Sequence, residues 1–535
     1  MRFKKHDYNT TLVQICCTPL FFTPFLVMAG NVEIKGDLKS TAYAYQTEER
    51  NGNTEDNLAL VVTPNVTGIY DSKKVDIAIN AAHTLVQQND EEDGANKNFT
   101  DLKLNSNIDL IENFLRMNIS GSQNYQVINS SQNLFSDKVL SSGDLSKIQR
   151  YSAMLNFSVP NPEYIGFDWS TNYSDTSVDA SANENPGLDG NNFSASSRIY
   201  SAKYISMLTF DFGVNYNNTV RSNFSNFKST VISGNVRLQL YDQLKLVLQG
   251  SDENYDADFE TQSGGRTNLD SSSYGAGFAW LNKDNDGIEL TYNRLEEANN
   301  TTEFVGVNIN WAFSPRTTID MNYGKRAYGD AYELNFKYQL KSFRSQLSYN
   351  EEITSYARMG ATTNSFAIFV CSIGAADLSE CFQPDSLNYV LQPGEEFKVY
   401  TGLTTDITNE VILTKAAKYV IGYDIKKLKV SFDIGYRETE YIESNRLQKY
   451  HTAGLNIDYR LTRRTNIGIN TNAAHRESEQ KNGSEDTVTV GFSVSRKLSR
   501  DASLNADIRY LDRSSDNENR DVTDKRLTVG FKYQF

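Results

Sequence analysis

The chain ends in the stretch RLTVGFKYQF, residues 526–535, in which apolar and polar residues alternate. The apolar set is Leu527, Val529, Phe531, Tyr533 and Phe535. The polar set is Thr528, Gly530, Lys532 and Gln534. Successive side chains of a β-strand point to opposite faces. The stretch therefore predicts a last strand with one lipid-facing side and one side that faces a lumen.

Phe531, Tyr533 and the terminal Phe535 are the last three residues of the apolar set, at every second position. This pattern resembles the C-terminal signature that outer-membrane proteins present to the barrel-assembly machinery. We therefore predict that these three residues form an assembly signal and that this machinery is a partner of the chain.

The composition of the 535 residues excludes a bundle of membrane helices. Hydrophobic residues make up 39% and charged residues 22%, and the mean hydropathy is −0.53, which is too polar for several helical spans. The formal net charge of −14 argues against nucleic acid as a partner, since phosphate binding needs a basic surface.

Residues 1–29 have the layout of a secretory signal peptide. Arg2, Lys4 and Lys5 precede the apolar run TLVQICCTPLFFTPFLVMA at 11–29, which ends in small residues. We predict cleavage after Ala29. The alternative is an uncleaved N-terminal anchor, which the shortness of the run and its two prolines disfavour.

Beyond residue 30, alternation of period 2 recurs in about 24 segments of roughly 9–13 residues, the length that a tilted strand needs to cross a bilayer. The length of the link after a segment depends on whether that segment is even- or odd-numbered. Links after even-numbered segments are short, such as DSKK at 71–74 and SPR at 314–316, whereas those after most odd-numbered segments are long and polar, such as QTEERNGNTEDN at 46–57. The sequence therefore predicts an all-β protein: a transmembrane antiparallel up-and-down β-barrel of the bacterial (Gram-negative) outer-membrane type, with short periplasmic turns and long extracellular loops, spanning residues 30–535.

The polar face of the predicted strands is rich in amide and hydroxyl residues, with charges of both signs among them. Such a wall suits hydrated solutes and disfavours strong ion selectivity, although any water-filled wall has this composition. The charged lumen-lining candidates are Arg116, Arg237, Lys245, Asp320, Glu333, Lys337, Lys429, Asp433, Asp458, Arg460, Asp507 and Arg509.

The longest connection, residues 357–408, contains the two cysteines that remain after signal cleavage, Cys371 and Cys381. An even pair in a secreted protein predicts a disulfide. We hypothesise that this apolar loop folds into or across the mouth, clamped by the bridge. The alternative is an external loop whose disulfide only limits flexibility and proteolysis.

No signal for catalysis, metal or cofactor emerges. His83 lies on the lipid-facing set of its segment, while His451 and His475 lie at strand edges. There is no G-x-S-x-G motif, and no histidine is near either cysteine of the mature chain. We expect no enzyme activity, no bound metal and no cofactor.

The N-terminal hairpins read GDLKSTAYAYQTEE at 36–49 and NLALVVTPNVTGIYDSKKVDIAINAAHTLVQQ at 57–88. In this layout the chain resembles the outer-membrane β-barrel proteins associated with PEP-CTERM/exosortase and exopolysaccharide loci, and more loosely the porin-like barrels of capsule clusters. The resemblance implies a role in the export or surface handling of an exopolysaccharide. No catalytic residue follows from it.

Two functions remain open. The first is a pore, with exopolysaccharide or its export proteins as partners. The second is a structural or adhesive surface barrel that binds partners through its loops and conducts no solute. In either case the outer-membrane lipid and lipopolysaccharide are expected to surround it.

Overall fold

Strands form almost all of the described structure, which is a computed structural model. It describes residues 30–49, 54–89, 96–127, 138–139, 145–179, 189–221, 226–257, 268–282, 286–297, 300–326, 328–355, 411–441, 446–478, 483–516 and 521–535, with the backbone alone at 368–372, 381–382 and 395–399. The predicted signal peptide, residues 1–29, lies outside the described residues. Within them, no helix is long and apolar enough to cross a membrane.

The described residues form 27 strands. They are β1 (Asn31–Glu49), β2 (Thr54–Asp71), β3 (Val75–Gln88), β4 (Asn96–Ile111), β5 (Leu115–Val127), β6 (Leu145–Ser158), β7 (Ile165–Asp179), β8 (Gly190–Ser201), β9 (Leu208–Arg221), β10 (Phe227–Tyr241), β11 (Leu244–Ala257), β12 (Asn268–Leu281), β13 (Gly287–Glu297), β14 (Asn300–Ser314), β15 (Thr317–Arg326), β16 (Gly329–Gln339), β17 (Phe343–Ser355), β18 (Ile368–Ser372), β19 (Cys381–Phe382), β20 (Glu395–Val399), β21 (Val411–Ile425), β22 (Leu428–Tyr441), β23 (Arg446–Arg460), β24 (Thr465–Ser478), β25 (Gly483–Lys497), β26 (Ala502–Ser515) and β27 (Val522–Gln534).

Twenty-four of these strands form one closed antiparallel sheet. Each strand pairs with the next along the chain, β17 pairs with β21, and β27 pairs back with β1, from Asp37 opposite Gln534 to Glu49 opposite Val522. Closure removes every sheet edge, so all ladder hydrogen bonds are made inside the sheet, as a bilayer requires. The predicted up-and-down barrel of about 24 strands is confirmed.

One face of the wall is apolar and exposed, as lipid contact requires. The alternating apolar residues of β27, from Leu527 to Phe535, are all exposed, and so are Leu244, Leu248 and Phe278 on the middle strands. The other face carries the buried polar residues, among them Asn80, Asn293 and Thr528. The apolar face is the outside of the barrel and the polar face lines the lumen.

The short links all lie at one end of the barrel, which we call the short-turn end; the opposite end is the long-loop end. Three of these short links contain a residue in the left-handed region: Asn113 (φ 64°), Asn161 (φ 50°) and Asp242 (φ 23°). Asn and Asp tolerate this conformation better than other non-glycine residues, which explains their use in such tight reversals.

The strands are longer than expected. Most have 13–16 residues and β1 has 19, against the roughly 9–13 anticipated for bilayer crossing. The extra residues lie at the long-loop end, where β1 and β2 continue to Glu49 and Thr54. The polar stretch 46–57, which the sequence assigned to a loop, is mostly strand because Gln46 and Asp56 remain in register there.

Candidate functional site

The lumen wall is the candidate site, and the predicted residues are distributed around it. All twelve charged candidates lie on strand positions that alternate with the exposed apolar side chains. The structure places them on eight strands: Arg116 on β5, Arg237 on β10, Lys245 on β11, Asp320 on β15, Glu333 and Lys337 on β16, Lys429 and Asp433 on β22, Asp458 and Arg460 on β23, and Asp507 and Arg509 on β26. They do not form a single cluster.

Several candidates form ion pairs within the wall. Arg116 Nε lies 2.7 Å from Asp109 Oδ1, and Arg237 Nε lies 2.8 Å from Glu289 Oε2. Arg509 Nη2 lies 2.9 Å from Asp524 Oδ2. The partners Glu289 and Asp524 were not identified from the sequence, because each pair joins residues whose proximity depends on the strand register.

A bridge of polar side chains crosses β12. Its lumen face reads Ser271, Ser273, Gly275, Gly277 and Ala279. Small side chains there let long ones on the flanking strands meet above the backbone. Arg237 of β10 reaches Glu289 of β13 in this way. Gln249 Nε2 of β11 donates to Thr291 Oγ1 (2.9 Å) and Asn293 Oδ1 (2.7 Å) of β13.

A second polar ladder crosses β1, β2 and β3. Asn80 Nδ2 donates to Asn65 Oδ1 (2.7 Å) and to Thr67 Oγ1 (2.8 Å), and Asn65 Nδ2 donates to Asp37 Oδ2 (3.0 Å). Asn80 and Asn65 are buried. Because these buried amides are hydrogen-bonded to one another, the wall is polar here without the energetic cost of unsatisfied hydrogen-bonding groups.

Residues 138 and 139, the described part of the connection between β5 and β6, lie on the inner wall, which the sequence did not predict. Lys138 forms an ion pair with Asp101, and the Val139 carbonyl oxygen accepts a hydrogen bond from Gln88 Nε2 (2.6 Å). Val139 is 3% exposed. It belongs to one apolar cluster with Tyr45, Ala59, Val61, Val86 and Phe99. We call this set the loop-docking patch.

A signal for the loop-docking patch was present in the sequence. Alternation fails at NLALVV, residues 57–62, where Leu58 to Val62 is apolar on both faces. It fails again at Leu85 and Val86 on β3. Exposure of an apolar side chain to water in the lumen is unfavourable. Such a break in alternation therefore predicts a segment that packs against it inside the barrel.

A second apolar cluster lies at the long-loop end. Phe227 and Tyr255 of β10 and β11 form one buried cluster with Ile353 and Leu413 of β17 and β21, and Tyr328 packs against it. The sheet separates the two strand pairs by β12 to β16, so the cluster joins strands that are not neighbours in the sheet.

An ion pair accompanies this cluster: Arg326 Nε lies 3.7 Å from Glu253 Oε1. Tyr328 lies in the tight connection between β15 and β16, next to this pair. Desolvation by burial raises the pKa of Tyr328 to about 12, so the phenol stays neutral at physiological pH. A neutral ring fits the apolar cluster that it covers.

The predicted loop 357–408 is described only in part. Strands β18, β19 and β20 form a separate three-stranded sheet, in which Cys371 is directly opposite Cys381. Opposite residues of an antiparallel pair have Cα atoms about 4.5–5.5 Å apart, within the range that a disulfide spans. The disulfide stays a prediction, and so does the insertion of this loop into the mouth, since the rest of the loop lies outside the described residues.

The three described histidines lie on the outer face. His83 Nδ1 is 2.8 Å from Thr100 Oγ1. His475 Nδ1 is 2.7 Å from Asp486 Oδ1 and its Nε2 is 3.1 Å from Glu477 Oε1, and the His451 ring lies 6.2 Å from the His475 ring. The part of the chain that the structure describes holds no group of three or more His, Cys, Asp or Glu residues placed to bind a metal ion.

The residues of the predicted assembly signal lie at the seam of the barrel. Phe531, Tyr533 and Phe535 are exposed on the outer face. Phe535 N donates to Gly36 O (2.8 Å) and Gly36 N donates to Phe535 O (2.8 Å), so the last residue pairs with β1. Recognition of these residues by an assembly machinery remains a prediction.

A closed 24-stranded antiparallel barrel with an apolar exterior and a polar lumen defines a transmembrane β-barrel of the outer-membrane type. Residues 416–535, which run from within β21 to the end of β27, match a family described as a protein of unknown function, DUF481. No curated protein sequence matches the chain.

Solved structures of outer-membrane proteins are similar to this chain at low identity. One is a loop L8 deletion mutant of OmpT from Vibrio cholerae (9% identity, 95% of this chain and 100% of that chain, TM-score 0.32). Another is the siderophore receptor PirA from Acinetobacter baumannii (10%, 94% and 80%, TM-score 0.43). A third is the FrpB iron transporter from Neisseria meningitidis (8%, 93% and 82%, TM-score 0.44).

Proposed function

We propose that the chain is an outer-membrane pore for hydrophilic solutes, linked to the export or surface assembly of an exopolysaccharide. In this proposal the signal peptide is removed after Ala29, the short turns face the periplasm and the long loops face the outside. Lipopolysaccharide surrounds the long-loop end. The exopolysaccharide link rests on the resemblance of residues 36–49 and 57–88 to barrels of such loci.

The composition of the inner wall is the observation that supports a pore. Amide, hydroxyl and charged side chains line it from β1 round to β27, and the β12 bridge and the Asp37–Asn65–Asn80 ladder hold them in fixed positions. Such groups replace the hydration of a polar solute and tolerate water between them. A solid core would instead present mainly apolar side chains to the interior.

Planar bilayers test the pore directly. The refolded mature chain, checked for heat-modifiable migration, should give stable single-channel steps in potassium chloride. A correctly folded preparation that gives no steps in many independent bilayers would contradict the pore.

A second candidate is a structural or adhesive barrel without conduction. The loop-docking patch favours it, because it packs apolar side chains inside the long-loop end. In the bilayer test, absence of current together with binding of the folded barrel to cells or matrix would support this candidate.

The exopolysaccharide link has its own test in the source bacterium. Deleting the gene should reduce the polysaccharide at the cell surface, measured by antibody or dye binding, and leave the pool inside the cell unchanged or raised. Complementation with the intact chain should restore it. An unchanged surface layer would remove the polysaccharide from the proposal and leave the pore standing.

A further inference from the structure

Basic side chains are concentrated in five neighbouring links at the short-turn end. These links join β14 to β15, β16 to β17, β21 to β22, β23 to β24 and β25 to β26, which follow one another round the sheet. The links hold one acidic residue, Asp501, and seven basic residues, which we call the basic rim: Arg316, Lys341, Lys426, Lys427, Arg463, Arg464 and Arg500. The whole chain has a formal net charge of −14, so the basic rim is opposite in sign to the chain as a whole.

The other six short links have no such excess of positive charge. They lie between β2 and β13, and their sequences contain four basic and five acidic residues. Lys73 in one of them forms an ion pair with Glu112 in the next (Nζ to Oε1 3.2 Å). All seven side chains of the basic rim are exposed, and none of them forms an ion pair with another described residue. The positive charge therefore belongs to one side of the short-turn end.

Hydrogen bonds between neighbouring hairpins hold the backbone of the basic rim in place. The carbonyl oxygen of Arg316 accepts from Gln339 N (2.8 Å), and that of Lys427 accepts from Arg460 N (2.7 Å). Two strand spacings separate one link from the next, which amounts to about 10 Å along the barrel. At about 0.01 M salt the Debye length is about 30 Å, so the charges of neighbouring links act together.

An exposed apolar residue lies just before the basic residues of each link. Each of these apolar residues continues the lipid-facing set of its strand, and their exposed fractions run from 40% to 66%. They are Phe313, Leu340, Ile425, Leu461 and Leu498. The basic side chains are therefore placed where the hydrocarbon of the bilayer ends, at the depth of the lipid headgroups. A surface for a soluble partner would not need this apolar border.

We propose that the basic rim is an interaction surface for anionic phospholipids, such as phosphatidylglycerol, in the leaflet at the short-turn end. Guanidinium and ammonium groups bind phosphate oxygens through charge-assisted hydrogen bonds, and basic residues beside membrane-spanning segments attract anionic headgroups. The apolar residues before them contact the acyl chains of the same lipids. Anionic lipid then collects on one side of the barrel and not around its whole circumference. This surface is on the outside of the barrel and does not depend on conduction.

Lipid selectivity measures this interaction directly. The mature chain is refolded into phosphatidylcholine vesicles that contain a trace of phosphatidylglycerol or phosphatidylcholine spin-labelled on the acyl chain. The fraction of label immobilised at the barrel gives the association constant of each lipid. At about 0.01 M salt we expect phosphatidylglycerol to bind about 2- to 5-fold more tightly, the upper value corresponding to one basic residue per headgroup. In about 1 M salt, where the Debye length is about 3 Å, this preference should disappear.

Two triple variants with the same change in net charge locate the surface. K427Q/R463Q/R464Q removes three charges of the basic rim and should reduce the preference for phosphatidylglycerol by about half, because about half of the charge is lost. K73Q/K74Q/K203Q is the matched control, since its three lysines are also exposed in short links but lie outside the basic rim. The control should keep the preference of the wild type. Heat-modifiable migration verifies that each variant is folded.

The outcomes separate a lipid from a soluble partner. Equal association constants of the two lipids in the wild type, or an equal loss in both triple variants, would overturn the lipid surface. Polyglutamate, added to the barrel in a neutral detergent, stands for a soluble acidic partner. If the barrel shows no preference for phosphatidylglycerol but binds polyglutamate, and K427Q/R463Q/R464Q loses that binding, the basic rim would belong to such a partner and the lipid proposal would be wrong.

Discussion

Single residues on the lumen face decide which side chains can meet. Gly277 lies in the middle of β12, and a methyl group there would overlap the backbone carbonyl oxygen of Leu290 and the Cα of Thr291 on β13. Backbone atoms cannot rotate away as a side chain end does. Gly277 is therefore required by the close approach of β12 to β13.

We predict that Gly277→Ala destabilises the barrel by about 1–3 kcal/mol, because the strands must separate to admit the methyl group. Urea unfolding of the detergent-refolded barrel, followed by loss of heat-modifiable migration, measures the effect. Gly213→Ala is the control: Gly213 is also lumen-facing, and its nearest contact to an added methyl would be Ser233 Oγ at 3.5 Å. Equal effects of the two substitutions would contradict the steric argument.

Alternation predicted the face of each residue but not its partner. The sequence placed Arg237 in the lumen, while Glu289, 52 positions away, was not connected with it. Their contact depends on the register of three strand pairs and on the absence of side chains at Gly277 and beyond on β12. Register follows from the whole set of hairpins, so no local pattern reveals such a pair.

At the scale of elements, the sequence predicted which links are short and which are long better than it predicted where the long links begin. β1 and β2 continue as a paired ribbon over residues that the sequence assigned to a loop. Polar residues form strand there because the part of the sheet above the membrane, where β1 pairs with both β2 and β27, needs no apolar face. Polarity thus marks where the bilayer ends and not where the strand ends.

The loop between β5 and β6 makes a contact that composition did not reveal. The residues of this loop are mostly polar, yet Val139 is enclosed by apolar side chains of β2, β3 and β4. One apolar residue with an ion pair beside it, Lys138 to Asp101, is enough to hold the described part of the loop on the wall.

We predict that Val139→Asp releases this loop, because a carboxylate at that position would be buried among apolar groups, which costs several kcal/mol unless it moves out. The expected result is a larger single-channel conductance and faster proteolysis within residues 128–144. The barrel itself should keep its heat-modifiable migration.

The control for this prediction is Val159→Asp, which adds the same charge in a short turn at the other end of the barrel. It should leave both readouts as in the wild type. If Val139→Asp changes neither conductance nor cleavage, the loop does not restrict the lumen.

The seam between β1 and β27 is the element that closes the barrel. Phe535 makes two backbone hydrogen bonds to Gly36, and its ring covers Gly36, where a side chain would overlap it. We predict that Phe535→Ala lowers stability by about 1–2 kcal/mol, since the ring leaves the seam uncovered. The temperature of the heat-modifiable shift measures this.

Phe313→Ala provides the comparison for the seam. Phe313 is exposed on the outer face like Phe535 but lies on β14, far from the seam. Both substitutions remove lipid contact, and only Phe535→Ala uncovers the closing strands. A loss of the same size in both variants would show that lipid contact alone accounts for the effect.

For the molecule as a whole, the sequence predicted the closed barrel but not the packing of side chains in its interior. Twenty-four alternating segments, sorted links and the last strand were enough for the architecture, since only a closed ring satisfies every strand edge in lipid. Side-chain packing beyond the strand pairs depends on contacts between strands far apart in sequence, such as those of the cluster that contains Phe227 and Leu413. Those contacts leave only brief breaks in alternation.

Ile508 and Asn505 lie on opposite faces of β26 and test the inside-out distribution of the whole barrel. Ile508 is 57% exposed on the outer face, whereas Asn505 faces the lumen. An arginine on the lipid face near the bilayer centre costs about 2–4 kcal/mol, while one in a hydrated lumen costs little. Ile508→Arg should therefore make folding into lipid vesicles less favourable by about 2–4 kcal/mol, measured by reversible denaturant titration. Asn505→Arg should change the free energy of folding by less than about 1 kcal/mol. If the two variants were equally stable, or if Asn505→Arg were the worse, the apolar face would not be the lipid face, and the barrel could not lie in a bilayer as described.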